Sequence, residues 1–102
     1  MIELTTENEF LSLCQLNEYV LVDFYATWCG PCRTMSQYLD DSLITKSKIK
    51  CVKVNVENLT DFCDKHNISS LPTLKLFKNS VEILLLEGCS KTHINTILNM
   101  CK

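Results

Sequence analysis

Residues 19–32 read YVLVDFYATWCGPC, and this stretch decides the fold. Its first part, residues 19–26, is β-branched, aromatic and apolar except for Asp23, which predicts a buried strand. Beyond the two cysteines, apolar side chains recur at helical spacing at Met35, Tyr38 and Leu39. Cys29 and Cys32 therefore lie where a strand gives way to a helix. The free N–H groups and positive dipole end of that helix favour a thiolate.

The rest of the chain predicts four more strands and three more helices. With the strand already described, the five strands are residues 2–4, 19–27, 51–56, 73–78 and 81–86, and Asn79 and Ser80 are the predicted hairpin turn between the last two. Helices are expected after the Thr6–Glu9 capping box, over residues 31–46, from a cap at Thr60 or Asp61 to Asn67, and after Ser90. The order βαβαβαββα predicts an α/β protein with a mixed sheet covered on both faces. We expect one domain over residues 1–102.

Composition excludes several classes of function. The chain has 102 residues and a formal net charge of −2, which gives no footprint for nucleic acid or an anionic membrane. No apolar run approaches the roughly 18 residues that span a bilayer. The first ten residues, MIELTTENEF, are acidic and polar, unlike a secretory or transit peptide. These features predict a cytoplasmic protein.

Two motifs carry a family resemblance. VDFYATWCGPC at residues 22–32, followed by Leu71-Pro72-Thr73, resembles the thioredoxin family. The resemblance extends over nearly the whole chain, in the same order and at similar spacing. It implies the thioredoxin fold, a central mixed sheet of five strands with a four-stranded core, flanked by four helices. It also implies a protein-disulfide reductase that carries electrons by dithiol–disulfide exchange.

The CxxC pair provides the expected chemistry. Cys29 is the predicted nucleophile, because disulfide exchange requires an exposed thiolate and a helix N-terminus supplies one. Cys32, one turn deeper, is the predicted resolving thiol, and Gly30 and Pro31 fit a redox loop. The alternative is zinc, because His66 completes a C-x2-C-x30-C-x2-H pattern. The thirty-residue spacer holds most of a helix and a full strand, unlike a compact zinc module, so we predict no metal.

Asp23 is an acid in an otherwise apolar strand. Such a residue is unfavourable unless it is buried for a purpose, the alternative being an edge or bulge position that faces water. The resemblance implies that Asp23 lies behind the dithiol and moves protons to and from Cys32. It also implies that Lys53 on the adjacent strand tunes the charge of Asp23. Burial should raise the pKa of Asp23, and Lys53 should oppose that rise.

The resemblance further implies a shallow apolar groove for the substrate. Pro72 matches the family's cis-proline, whose geometry would turn the Leu71 backbone toward an extended substrate; the alternative is a trans proline that begins a strand. The positions that match the groove are Trp28, Gly30, Pro31, Val56, Leu71, Pro72, Gly88 and Cys89.

Five cysteines remain outside the pair. The total of seven is odd, and the strands are apolar enough to fold without disulfides, so we predict that Cys14, Cys51, Cys63, Cys89 and Cys101 pack as small core residues. For Cys89 a second hypothesis stays open: at the groove rim it would modulate reactivity by oxidation or by an intermolecular disulfide. His66 and His93 have no acid–base partners, and we expect both to be solvated helix residues.

Partners and rival functions follow from the resemblance. It implies no bound cofactor, with electrons from NADPH through a separate thioredoxin reductase. It implies clients such as ribonucleotide reductase, peroxiredoxins and methionine sulfoxide reductase, and a monomer that can dimerise through a disulfide on oxidation. Pro31 argues against an oxidising or isomerising domain, and Trp28 against a glutaredoxin. An interaction subunit or scaffold that does not need the dithiol remains the alternative.

Overall fold

A five-stranded mixed sheet forms the centre of the protein in a computed structural model that describes all 102 residues. The strands are β1 (Ile2–Glu3), β2 (Tyr19–Tyr25), β3 (Ile49–Asn55), β4 (Thr73–Lys78) and β5 (Val81–Glu87). The helices are α1 (Glu7–Leu16), α2 (Gly30–Asp40), α3 (Thr60–Lys65) and α4 (Thr92–Met100), with a 3₁₀ turn at Leu43–Lys46. The element order and the mixed sheet are those predicted from the sequence.

The sheet order is β1-β3-β2-β4-β5. Strands β1, β3 and β2 are parallel, whereas β4 runs antiparallel to β2 and β5 antiparallel to β4. Strand β2 is therefore central, with a neighbour on each side over most of its length. This position explains why its sequence is almost continuously apolar.

Alternate residues of β2 enter two separate core layers. Val20, Val22 and Phe24 pack in the layer that contains Phe10 of α1 and Phe62 of α3. Tyr19 and Leu21 pack on the opposite face, where the layer contains residues of α2 and α4 such as Met35, Leu39, Ile94 and Ile97. Asp23 follows the second alternation and so points to the α2 face.

Three local signals behave as predicted. Glu9 N–H donates to Thr6 Oγ1 at 3.2 Å while Thr6 N–H donates to Glu9 Oε1 at 3.0 Å, which is a complete capping box. Asn67 has φ of 56° just after α3. The turn between β4 and β5 places Asn79 and Ser80 at φ of 49° and 72°.

The predicted helix over residues 31–46 is wrong at its C-terminal end. Helix α2 stops at Asp40, and residues 43–46 form a separate 3₁₀ turn. Ser42 causes the break, because its Oγ donates to the Leu39 carbonyl at 2.7 Å and accepts from Ile44 N–H at 3.2 Å. Such local bonds compete with the helical ladder.

Two predicted caps also differ. Helix α3 begins after Leu59, which has no side-chain cap, so neither Thr60 nor Asp61 caps it. Ser90 Oγ does accept from Thr92 N–H at 3.3 Å, although α4 begins one residue later than a cap at Ser90 predicts. None of the helices is both long enough and apolar enough to cross a bilayer.

Candidate active site

The two cysteines lie at the junction between β2 and α2. Cys29 is the N-cap residue of α2, Pro31 lies in its first turn, and Cys32 follows on the inner side. The two sulfurs form a disulfide, with the Cα atoms 5.3 Å apart. The Cys32 N–H also donates to Cys29 Sγ at 3.2 Å. A free backbone donor of the helix thus points at the sulfur that would carry negative charge in the reduced protein.

The predicted exposure of Cys29 is wrong for this disulfide form. Only 5% of Cys29 and 2% of Cys32 is exposed. The disulfide turns both sulfurs against a small apolar cluster that holds Ala26 and, at its edge, Val56 and Leu71. The neighbouring Trp28 is 70% exposed, so the surface beside the dithiol is aromatic and accessible.

The loop before β4 lies in the same region. The Leu71–Pro72 peptide bond is cis. The Pro72 carbonyl accepts from Gly88 N–H at 2.9 Å, which fixes the end of β5 beside it. Gly88 has φ of 81°, a conformation that favours glycine. Cys89 follows directly and is exposed, so its predicted packing in the core is wrong.

Asp23 is a buried acid on β2, on the face of the sheet that α2 covers. It is 1% exposed, and neither carboxyl oxygen has a hydrogen-bond partner. Burial raises its pKa to about 7, and the charge of Lys53, its register neighbour on β3, opposes that rise. A carboxyl group with this pKa exchanges its proton near neutral pH.

Two residues near this acid were not singled out from the sequence. The Tyr25 hydroxyl donates to Glu3 Oε1, although the two residues are 22 positions apart in the chain. Burial and this hydrogen bond raise the pKa of Tyr25 to about 12. Tyr25 lies two positions after Asp23, a spacing that places both side chains on one face of β2.

The zinc pattern finds no support in the geometry. No three His, Cys, Asp or Glu side chains come together as a metal-ligating group. Cys63 packs in the core layer of α1, whereas Cys29 and Cys32 belong to the separate cluster at the start of α2.

The prediction that His66 is solvated is wrong. Its ring lies 4.5 Å from the Phe62 ring and 5.7 Å from that of Phe77, measured between centroids. Burial lowers its pKa, and the nearby charge of Lys75 lowers it further. The residue is half-buried at the end of α3 because the aromatic layer encloses its ring.

Known proteins resemble this chain in sequence and fold. The family model for thioredoxin matches residues 1–100. The chain belongs to the thioredoxin family. Thioredoxin 1 of Plasmodium falciparum is 34% identical over 94 residues, which is 92% of this chain and 90% of that protein. Thioredoxin-1 of Saccharomyces cerevisiae is 36% identical over 89 residues, 87% of this chain and 86% of the yeast protein.

Solved thioredoxin structures match the whole fold. A Plasmodium falciparum thioredoxin superposes with a TM-score of 0.91 at 31% identity, covering 100% of both chains. A structure that concerns the thiol-resolving mechanism of a yeast mitochondrial 1-Cys peroxiredoxin via glutathione and thioredoxin systems superposes with a TM-score of 0.89 at 28% identity, covering 98% of this chain and 94% of the other. Family membership and the bonded Cys29–Cys32 pair establish this thioredoxin-family protein as a dithiol–disulfide oxidoreductase.

Proposed function

We propose that the chain reduces disulfides of client proteins, with Cys29 as nucleophile, Cys32 as resolving thiol and Asp23 as the proton-transfer group. The supporting observation is the placement of the pair at the N-terminus of α2, with a buried carboxyl of pKa about 7 on the same face of the sheet. Gly30 and Pro31 separate the two thiols within the first turn of α2.

In the first step the Cys29 thiolate attacks one sulfur of the client disulfide. A Cys29–client sulfur bond forms, the client's sulfur–sulfur bond breaks, and the released client thiolate takes a proton from water. The Cys32 N–H, 3.2 Å from Cys29 Sγ, stabilises the attacking thiolate together with the dipole of α2.

In the second step the Cys32 thiol transfers its proton to the Asp23 carboxylate. The resulting thiolate attacks Cys29 Sγ, so that the Cys29–Cys32 disulfide forms and the second client thiolate leaves. The client gains two electrons and the protein loses two. Lys53 keeps the Asp23 pKa from rising further, so that a useful fraction of the carboxyl is ionised at neutral pH.

The client binds in the apolar groove beside the disulfide. Trp28 is accessible there, while Val56 and Leu71 flank the sulfurs. The chain around Pro72, Gly88 and Cys89 forms the opposite rim, and the Leu71 backbone pairs with an extended client segment. Cys89, which is exposed on this rim, is the site of disulfide-linked dimerisation under oxidation.

The electrons come from NADPH through a separate thioredoxin reductase, and the chain itself binds no cofactor. The clients belong to the ribonucleotide reductase, peroxiredoxin and methionine sulfoxide reductase classes, where the protein supports electron transport and redox homeostasis in the cytoplasm. The similar structure that concerns a yeast mitochondrial 1-Cys peroxiredoxin supports the peroxiredoxin class of client. Residues 1–102 act as one domain and as a monomer.

The test is insulin reduction with dithiothreitol as electron donor. Cys29→Ser should abolish turnover, and Cys32→Ser should trap a mixed disulfide between Cys29 and insulin that reducing agent releases. The control is Cys101→Ser, which removes a thiol at the end of α4 far along the chain from the pair. Wild-type turnover by Cys29→Ser would overturn the proposed nucleophile. A wild-type protein that reduces insulin no faster than dithiothreitol alone would favour the interaction-subunit alternative.

A further inference from the structure

Four polar side chains form a cluster on the α2 face of the sheet. Glu3 on β1 and Asp23 on β2 both have Lys53 on β3 as their register partner. The three residues therefore form a row across three parallel strands, with the cation between two carboxyl groups. Tyr25, two residues after Asp23, lies on the same face.

The cluster contains one hydrogen bond between side chains and no ion pair. Tyr25 donates its hydroxyl proton to Glu3 Oε1. Lys53 Nζ lies 5.5 Å from the centroid of the Tyr25 ring and forms no ion pair with either carboxylate. The lysine is thus held over the ring, and its position between Glu3 and Asp23 is set by how strongly each attracts it.

The cluster reaches the resolving thiol through a cavity. Tyr25, Cys32, Arg33 and Lys53 line one cavity of about 270 Å³. It lies on the Cys32 side of the disulfide, whereas Trp28 is exposed on the outside. A change in the position of Lys53 therefore alters the electrostatic environment in which Cys32 exchanges its proton.

We propose that Glu3 and Tyr25 are positioning residues for the dithiol reaction, because the Tyr25–Glu3 hydrogen bond sets how far Lys53 is drawn away from Asp23. This inference rests on the proposed proton-transfer role of Asp23. Glu3 does not touch the reacting atoms. It acts through Lys53, and Tyr25 acts by occupying the Glu3 carboxylate.

The other groups around Asp23 do not hide the effect of Lys53 on the Asp23 pKa. Asp40 of α2 raises the Asp23 pKa, and Cys51 of β3 is close enough for the charge of Asp23 to raise the Cys51 pKa. On its other side Asp23 has the apolar Leu74 of β4 as register partner. From α2, Cys32 and Arg33 face the cavity. Among the charges that act on the Asp23 pKa, only Lys53 lowers it.

Two conservative substitutions should move Asp23 in opposite directions. Glu3→Gln keeps an acceptor for the Tyr25 hydroxyl but removes the charge that competes for Lys53, so the Asp23 pKa should fall by about half a unit. Tyr25→Phe keeps the ring under Lys53 but frees the Glu3 carboxylate to attract the lysine, so the Asp23 pKa should rise by about half a unit.

The experiment is a ¹³C NMR titration of the Asp23 carboxyl carbon in the reduced protein, with the pH profile of insulin reduction measured alongside. Glu7→Gln is the matched control, because Glu7 pairs instead with Lys65 of α3. The Glu3→Gln and Tyr25→Phe profiles should shift with the titration. In an Asp23→Asn background neither substitution should move the profile.

Unchanged Asp23 titrations in both variants, or shifts of the same sign, would overturn the inference while leaving the role of Asp23 intact. A wild-type pH profile for Asp23→Asn would instead overturn the proposed proton transfer. The titration would still report the coupling of Glu3 and Tyr25 to Asp23, because it needs no turnover.

Discussion

Asp23 places a carboxyl group where a stable fold would place an apolar side chain. Both of its oxygens are buried without a hydrogen-bond partner, and ionising a group there costs free energy because the protein replaces its water. In exchange, the proposed proton-transfer group has a pKa near neutral pH. The role that we propose for Asp23 therefore requires a loss of stability.

The pH dependence of stability has a definite sign. The folded-state pKa of Asp23 is about 7, above its ordinary value of 3.8. The folded protein therefore holds a proton that the unfolded chain releases, and stability should fall as the pH rises from about 4 to about 7. Asp23→Asn should remove this slope and raise the free energy of unfolding at pH 8 by roughly 2–4 kcal/mol.

Urea unfolding of the oxidised protein at pH 4, 6 and 8 measures this effect. The gain from Asp23→Asn should be largest at pH 8 and close to zero at pH 4. Asp61→Asn, on the outer helix α3, is the control and should show no comparable trend. A gain independent of pH would mean that the carboxyl is not protonated on folding.

The same substitution should slow the reaction. Without a carboxylate to accept the Cys32 proton, Asp23→Asn should reduce insulin severalfold more slowly near pH 7, as loss of a general base allows. Stopped-flow measurement of disulfide formation after mixing reduced protein with substrate isolates this step. Equal rates for the two proteins would remove Asp23 from the proton path.

At the scale of elements, the β4–β5 turn offers a test of backbone conformation. Asn79 and Ser80 both adopt positive φ, as a two-residue hairpin with the favoured twist requires. Serine is strained there, so Ser80→Gly should raise the free energy of unfolding by a few tenths to about 1 kcal/mol.

Ser12→Gly provides the matched control for that substitution. Ser12 is exposed within α1, where glycine should instead lower the free energy of unfolding by about 0.5 kcal/mol. Thermal or urea unfolding distinguishes the two. Destabilisation by both substitutions would show that the strain at Ser80 is not relieved by glycine.

The sequence predicts elements best where the signal is local. The Thr6–Glu9 box, the apolar run of β2 and the left-handed Asn67 each depend on neighbouring residues only, and the structure confirms them. The end of α2 was missed because a serine hydroxyl can be accommodated within a helix or can bond to the backbone and end it. Ser42 does the second. The predicted cap of α3 is wrong because the N-cap position is taken by Leu59, whose apolar side chain accepts no hydrogen bond.

The tertiary environment explains the remaining differences. His66 has no local feature that predicts burial, and it is enclosed only when α1, α3 and β4 bring their phenylalanines around it. Glu3 meets Tyr25 only through the register of three strands. The fold and the CxxC pair were predictable from sequence, whereas these contacts depend on the assembled sheet.

Across the whole molecule, the five thiols outside the pair divide by accessibility. Cys14, Cys63 and Cys101 are buried, and Cys51 is half-buried, with burial raising the pKa of each. Cys89 alone is exposed. Thiols that are buried and hard to ionise react slowly, so the folded protein should present one reactive thiol once the disulfide is closed.

Alkylation of the oxidised, folded protein with iodoacetamide should therefore modify Cys89 at least about tenfold faster than any other cysteine, as mass spectrometry of peptides will show. Peroxide treatment should yield disulfide-linked dimers that Cys89→Ser prevents and that Cys51→Ser, the control, does not. Unfolding in urea should equalise the alkylation of all five, because their difference comes from burial. Dimers that persist in Cys89→Ser would assign oxidation to another thiol and mean that the fold exposes it by local opening.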